Sequence, residues 1–246
     1  MNLIILTDND LTGENKYLLK DNRAEHILKI LKLSSGDEIE IGILNGPAGI
    51  GKILSADNNQ IIIEPQHLKQ LPDTIPKIIL ICALPRPQTV KKVLITSAMI
   101  GIREVHFIRA NRVEKSYYHS PLLESDNIIP YLIEGLSQGK RTDIPSVKIH
   151  NRFKPFFEDY FPTISNKNMI KLLPDIETNS FLNKIYQGKN NPIALAIGPE
   201  GGWVPFETDF MKEAGFKSFK LSQSILRVEH ALTAALAQIE LIGHKL

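Results

Sequence analysis

An apolar run, Ile193-Ala194-Leu195-Ala196-Ile197, leads directly into Gly198-Pro199-Glu200-Gly201-Gly202-Trp203. Glycines in such a place let the backbone approach a ligand and take up positive φ. Ligands of open α/β sheets sit beyond the carboxyl ends of strands. A helix expected over residues 205–214 would add unpaired N–H groups at its start. The spacing is neither the G-x-G-x-x-G of a dinucleotide fold nor a lysine-bearing P-loop, so a tight strand-to-helix turn without a ligand is an equal reading of this stretch alone. Some twenty residues on, Leu221-Ser222-Gln223-Ser224-Ile225-Leu226-Arg227-Val228-Glu229-His230-Ala231 sets Arg227 and Glu229 at the start of a long terminal helix. An arginine there suits an anion, and a carboxylate there is favoured by the helix dipole. A structural ion pair with a capping charge is the competing reading.

Two further stretches concentrate cations. Arg109-Ala110-Asn111-Arg112-Val113-Glu114-Lys115-Ser116-Tyr117-Tyr118 and Gly135-Leu136-Ser137-Gln138-Gly139-Lys140-Arg141-Thr142-Asp143-Ile144-Pro145 interleave Arg and Lys with Asn, Gln and Tyr. That mixture suits contacts to phosphates and base edges, against the plainer reading of solvated loops. The formal net charge of the chain is only +2, but it is unevenly spread. Residues 1–75 hold 7 Lys+Arg against 11 Asp+Glu, residues 76–154 hold 13 against 6, and residues 155–246 hold 9 against 10. The local excess of +7 in the middle segment is a candidate footprint for a polyanion, with a solvated, lysine-rich surface as an equal reading on charge alone.

The elements that must position these residues change character near Pro76. Before it the pattern is β: residues 37–44 alternate with Ile39, Ile41 and Ile43 on one face, Asn45-Gly46 marks a turn, and residues 51–56 and 60–64 follow as short strands around Asp57-Asn58-Asn59. One helix over residues 22–31, ended by Ser35-Gly36, interrupts them. The result expected is a small barrel. After Pro76, apolar strands at residues 78–84, 104–108, 146–149, 169–173, 193–197 and 216–221 alternate with helices at 88–100, from Ser120-Pro121, at 205–214 and from Val228. The last helix is expected to bury Ala231, Leu232, Ala235, Leu236 and Ile239. Such alternation implies a parallel sheet covered on both faces, and an α/β fold of two domains, 1–75 and 76–246.

Composition excludes several classes. Apolar residues make up 43% and charged residues 23%, as in an ordinary globular chain. The single cysteine, Cys82, excludes an intramolecular disulfide and a cysteine-built zinc site, so no metal is expected. Its apolar setting reads as a core thiol in a reducing, cytoplasmic protein. No apolar run reaches the roughly 18 residues of a membrane span, and the first residues lack the basic and apolar regions of a secretion signal.

The pairing of Gly198-Pro199-Glu200-Gly201-Gly202 with Leu221 to Ala231 resembles the two C-terminal motifs of the RsmE family, the 16S ribosomal RNA (uracil-N3)-methyltransferases of the SPOUT superfamily. The resemblance extends over nearly the whole chain: Arg23-Ala24-Glu25-His26-Ile27-Leu28 with Ser35-Gly36-Asp37, Arg112 to Ser116 and Gln138 to Pro145 fall where the family has similar segments. Departures are Thr96 to Gly101 and Pro85-Arg86-Pro87, where the family has lysine- and glutamate-bearing patterns, and His230, where threonine is commoner. The resemblance implies a PUA-like β-barrel followed by a SPOUT-type parallel sheet with a C-terminal trefoil knot, a homodimer, S-adenosyl-L-methionine as methyl donor, and the small ribosomal subunit or its 16S rRNA as partner. By matching positions the cofactor would be held by Leu173 and the turn after it, by Ile197, Gly198, Pro199, Glu200, Gly201 and Gly202, and by Leu221, Ser222, Ile225, Leu226 and Arg227. Arg227 is expected to stabilise a developing uracil anion, with Glu229 as base or as the group that orients Arg227, and Glu200 or His230 as less favoured bases. The RNA contacts implied are Arg23, His26, Lys32, Arg109, Arg112, Lys115, Gln138, Lys140 and Arg141. A ribose 2′-O-methyltransferase of the same superfamily and a non-catalytic RNA-binding assembly factor are the alternatives.

Overall fold

The computed structural model describes residues 2–72, 77–188 and 191–243. It contains two sheets. The first has the order β1-β3-β4-β5-β2, from strands Ile4–Leu6 (β1), Tyr17–Leu19 (β2), Glu38–Ile43 (β3), Ala48–Asp57 (β4) and Gln60–Lys69 (β5). β1 runs parallel to β3, and the other pairs are antiparallel. Irregularities between Ala48 and Ile50 and between Ile53 and Ser55 bend β4. The expected small barrel is thus a curled five-stranded sheet with β1 and β2 as edges, and both of these short strands went unread in the sequence. Ile39, Ile41, Ile53, Ile61 and Ile63 fill its concave side together with Ile27 from the helix. The β4–β5 turn has Asn58 and Asn59 at φ 48° and 62°, the geometry of a two-residue hairpin turn that twists with its strands.

That helix begins as α1 (Asn22–Glu25) and continues over His26–Leu31 with wider, π-type turns. Asp21 caps it by accepting from the Arg23 N–H. It ends at Lys32 in the left-handed conformation, φ 54°, three residues before the expected Ser35-Gly36 stop.

The second sheet has six parallel strands in the order β11-β9-β10-β6-β7-β8. They are Ile78–Ala83 (β6), Glu104–Ile108 (β7), Ser146–His150 (β8), Ile170–Pro174 (β9), Ile193–Ile197 (β10) and Lys217–Phe219 (β11). β6 and β10 are central and buried along their whole length, which is why they read as unbroken apolar runs. Helices α2 (Pro87–Ile100) and α3 (Ser125–Gly139) and the terminal helix α8 (Val228–Gly243) cover one face. The other face carries α4 (Phe153–Pro155), a π-type turn at Phe156–Tyr160, α5 (Phe161–Ile164) and α7 (Pro205–Glu213). The short helix α6 (Leu182–Ile185) contacts both β11 and α8. Cys82 lies buried in the first of these cores, and burial raises its pKa, so it is a packing residue as read.

Two helix details differ from expectation. Ser120 caps only a short 3₁₀ turn, Pro121–Leu123, and the long helix starts at Ser125. Ala231 is half-buried, unlike Leu232, Ala235, Leu236 and Ile239, because it faces a cavity and not the core.

α2 ends as expected at Gly101, φ 89°. Gly135 and Gly139 lie four residues apart on α3, where an added Cβ would collide with the Ile95 and Met99 carbonyl oxygens of α2. Lacking side chains, they let the two helix backbones touch.

The last turn of α3 and the segment after it join the two sheets. The Leu3 N–H donates to the Ser137 carbonyl at 3.0 Å and the Asn45 N–H to the Thr142 carbonyl at 2.8 Å. The Ser137 hydroxyl donates to the Leu3 carbonyl, the Thr142 hydroxyl to the Gly46 carbonyl, and the Ile144 N–H to Asn45 Oδ1. The expected domain boundary at 75/76 lies outside the described residues.

Candidate active site

At the carboxyl ends of β9, β10 and β11 three turns surround a cavity of about 670 Å³, within the roughly 300–1,000 Å³ usual for small-molecule sites. Pro174, Asp175, Ile176 and Glu177 form one wall, residues 197–203 another, and Leu221, Ser222, Ser224, Ile225 and Leu226 the third. Val228 and Ala231 of α8 close one side, and Pro205, Thr208 and Lys212 project from α7 at i, i+3 and i+7. Of the expected cofactor residues, Ile197 to Gly202, Leu221, Ser222, Ile225 and Leu226 line this cavity. Leu173 is fully buried in the core behind it, and its neighbour Pro174 supplies the surface.

The glycine turn is held in shape from outside. The Gly202 N–H donates to the Pro199 carbonyl at 2.8 Å, and Gly202 has φ 72°. Arg112 crosses over the turn and donates to the Gly201 carbonyl; an added Cβ at Gly201 would stand 3.1 Å from Arg112 Cδ. Glu200 accepts from the Arg86 backbone N–H at 3.2 Å and approaches Arg86 Nε at 3.4 Å. At Gly198 the crowding neighbour is Trp203, whose indole Nε1 is buried without a hydrogen-bond partner among the described residues.

The start of α7 is fixed by Glu207, which is 3% exposed. Its carboxylate accepts from the Asn111 N–H at 2.6 Å and the Val204 N–H at 3.0 Å. One buried carboxyl group thereby ties the basic loop after β7 to the helix beside the cavity. Sequence reasoning missed Glu207; the signal was a Glu three residues after the residue preceding Pro205, a capping pattern.

Arg227, also expected to hold the cofactor, is exposed, is not among the residues lining the cavity and has no side-chain partner among the described residues. Glu229 does not face it. The Glu229 carboxylate accepts from Lys92 of α2 at 2.9 Å, and that hydrogen bond holds its pKa below the usual carboxylate range. Lys92 went unnoticed because only the fold brings residues 92 and 229 together. His230 is exposed.

The residues expected to meet RNA are scattered. Arg109, Arg112 and Lys115 are exposed on the loop after β7, near the glycine turn. His26 and Lys32 are exposed at the first helix. Arg23 is turned inward: its guanidinium forms paired bonds to Asp10 at 2.6 and 2.8 Å and also reaches Asp21 at 2.7 Å. Lys140 reaches Glu40 at 2.7 Å across the joint, Arg141 packs on Gly101, and Gln138 donates to Glu134.

An RNA methyltransferase domain family matches residues 73–240, and an RNA methyltransferase PUA domain family matches residues 19–66. The ribosomal RNA small subunit methyltransferase E 1 of Borreliella burgdorferi is 30% identical over 237 residues, covering 96% of this chain and 95% of that protein. The chain belongs to this methyltransferase family, RsmE. A second RsmE relative, from Treponema pallidum, is 26% identical over 247 residues, with 99% of this chain and 92% of that protein covered. The fold of the Neisseria gonorrhoeae ribosomal RNA small subunit methyltransferase E, solved with bound S-adenosylmethionine, matches at a TM-score of 0.78 with 22% identity and 98% of each chain covered. A Legionella pneumophila putative methyltransferase, also in complex with S-adenosylmethionine, matches at 0.77 with 19% identity over both whole chains. The RsmE fold thus includes both sheets. Among the described residues no group of His, Cys, Asp and Glu could hold a metal, and no helix is long and apolar enough to cross a membrane.

Proposed function

We propose that the chain transfers a methyl group from S-adenosyl-L-methionine to N3 of a uridine in 16S rRNA of the small ribosomal subunit. The observation that carries this reading is the cavity built from the three turns beyond β9, β10 and β11, in a chain of the RsmE family. Its surfaces fit the cofactor. Gly198, Gly201 and Gly202 leave the backbone of the turn open to the cavity, Asp175 and Glu177 can accept from ribose hydroxyls, Lys212 can meet a carboxylate, and Ile197 and Leu226 supply apolar contact. Trp203 Nε1, without a partner among the described residues, adds one buried donor at the cradle.

The bound cofactor supplies an electrophilic methyl on a sulfonium. The chain must remove solvent, align the uracil with that methyl and favour the uracil anion. Arg227, next in the chain to the cavity-lining Leu226 and exposed without a side-chain partner among the described residues, stabilises that anion or an adjacent phosphate. Glu229 is a carboxylate whose pKa the Lys92 hydrogen bond lowers further, which suits a charge that fixes the start of α8 and with it Arg227 more than a group that takes the N3 proton. Arg86 and Arg112 keep the glycine turn in place, and Arg109 and Lys115 extend the cationic surface for the RNA backbone.

The order of the last strands supports the trefoil knot of the SPOUT class. The chain goes from β9 to β10 and back to the far edge at β11, then returns to the centre as α8, with the segment around α6 lying over both β11 and α8. We assign residues 1–75 to a PUA-like RNA-binding domain and 76–246 to the methyltransferase domain, acting as a homodimer in the cytoplasm, where the lone buried thiol would stay reduced.

Single-turnover methylation of small-subunit rRNA, with cofactor affinity measured separately by calorimetry, tests the assignment. Arg227→Ala is expected to lower the rate at least about 100-fold, in the range of one lost charge-stabilising group, with cofactor affinity retained. Wild-type rates in Arg227→Ala would end its role.

A further inference from the structure

Beside the cavity, on the far shoulder of α7, stands an aromatic ledge that the reading above does not use. Pro205, Thr208 and Lys212 face the cavity, whereas Phe206 and Phe210 lie on the neighbouring stripe of the helix. Phe206 is 52% exposed. It lies outside the buried core. Instead it is braced by its neighbours: the Phe210 ring centroid is 5.9 Å away and that of Phe153 6.4 Å, and Phe153 itself packs on Trp203 at 6.1 Å. The row of rings therefore runs from the open shoulder to the glycine cradle. Cations accompany it. Lys154 Nζ stands over one face of the Phe206 ring, 5.3 Å from its centroid, which leaves the other face for a base, and Arg152 is exposed two residues earlier on the same turn after β8. The nearest acids in sequence, Glu158 and Asp159, lie on the following turn, and Asp209 is matched by Lys212 at 4.0 Å.

We propose that Phe206 is a stacking platform for an unpaired nucleobase of the RNA substrate next to the methylated one, with Lys154 and Arg152 on its phosphates. The inference rests on the RNA-methylating reading of the cavity and deepens it. Every base has a π-face, so an exposed ring holds single-stranded RNA without selecting sequence, and flanking cations supply the backbone attraction. A nucleotide turned out of its stack to reach the cofactor leaves its neighbour unstacked, and a braced ring one helix face away from the cavity can receive that neighbour. The mixed ring-and-cation surface favours RNA over a second copy of this chain, whose contact would call for a broader apolar patch.

The test compares wild type, Phe206→Ala, Phe206→Tyr and Lys154→Ala for binding to an unmodified small-subunit rRNA transcript, with S-adenosylmethionine affinity and oligomeric state measured alongside. Phe206→Ala is expected to weaken RNA binding about 10-fold, equivalent to about 1.4 kcal/mol. Phe206→Tyr should bind as wild type, Lys154→Ala should lower the salt dependence by about one contact, and cofactor affinity should not change. Equal RNA affinity in wild type and Phe206→Ala overturns the platform, and so does a Phe206→Ala protein that changes oligomeric state. Should wild type bind the transcript yet transfer no methyl to it, the activity reading fails, and the affinity comparison alone still decides the platform.

Discussion

The turns that follow β9, β10 and β11 and the segment that closes α3 both join glycines to cations, yet one group encloses a cavity and the other seals a joint. The difference lies in what approaches the glycine. At Gly201 the neighbour is the flexible Arg112 side chain, with open cavity on the other side. At Gly135 and Gly139 it is the rigid backbone of α2. A glycine after a buried parallel strand leaves room for a ligand; glycines four apart on a helix leave room for another helix. Cations divide in the same way. Arg112 shapes a turn and stays exposed, whereas Lys140 and Arg141 lie against Glu40 and Gly101 at the joint.

Substitutions at the two kinds of glycine should separate them most. Gly139→Ala forces α2 and α3 apart and is expected to destabilise by about 3 kcal/mol, at the upper end for overpacking, lowering the melting temperature by roughly 6–12 °C. Cofactor affinity below the transition should be intact. Gly201→Ala should do the reverse, with little change in melting but weakened S-adenosylmethionine binding by calorimetry. Equal effects of the two on melting would erase the distinction.

Next in size is Glu207→Ala. It strands the Asn111 and Val204 N–H groups and is expected to cost about 2 kcal/mol in denaturant unfolding, and to loosen the α7 wall of the cavity, so cofactor affinity should fall too. No change in either would mean that water replaces the carboxylate without loss.

A third prediction concerns pH and a region remote from both. His106 is buried between His150, at 3.1 Å, and Glu104, at 3.2 Å. Burial, with help from His150 and Lys148, lowers its pKa to about 3. The unfolded chain takes up this proton near pH 6.5 and the folded chain does not. The neutral imidazole therefore contributes stability that is full above about pH 6.5 and lost progressively as pH falls towards about 3. Melting curves of wild type and His106→Phe between pH 7 and pH 4 should converge on acidification; parallel curves would refute the assignment.

The smallest effects belong to the joint. Thr142→Val removes the hydroxyl bond to the Gly46 carbonyl and should cost about 1 kcal/mol. Lys140→Ala should change stability by less than about 1 kcal/mol, because that ion pair is largely exposed. If Lys140 meets RNA as its sequence context suggests, Lys140→Ala should reduce the salt slope of binding by about one; an unchanged slope would leave Lys140 to the joint alone.

Legibility in the sequence followed the range of the interaction. β10 and the Gly198 to Gly202 turn were visible because a doubly covered parallel strand must be apolar throughout and the turn needs glycine. α2 was visible from its spacing and its Gly101 stop. Ser120-Pro121 misled because a capping serine and a proline start a 3₁₀ turn as readily as a helix. Arg23, read as an RNA contact, holds Asp10 thirteen residues away, and Glu229 meets Lys92 across 137 residues. Local pattern cannot register such pairings, since they arise only when the sheet order brings distant segments together. The short edge strands β1 and β2, three residues each, are below the length at which alternation can be told from chance.

The central claim is that the cavity beyond β9, β10 and β11 carries out methyl transfer to uracil N3. Incubation of the purified protein with isotopically labelled S-adenosylmethionine and unmodified small-subunit rRNA, followed by digestion to nucleosides and mass spectrometry, tests it most directly. The account predicts label in N3-methyluridine, with at least an about 100-fold loss in Arg227→Ala; label in a ribose-methylated nucleoside, or none in any nucleoside, would contradict it.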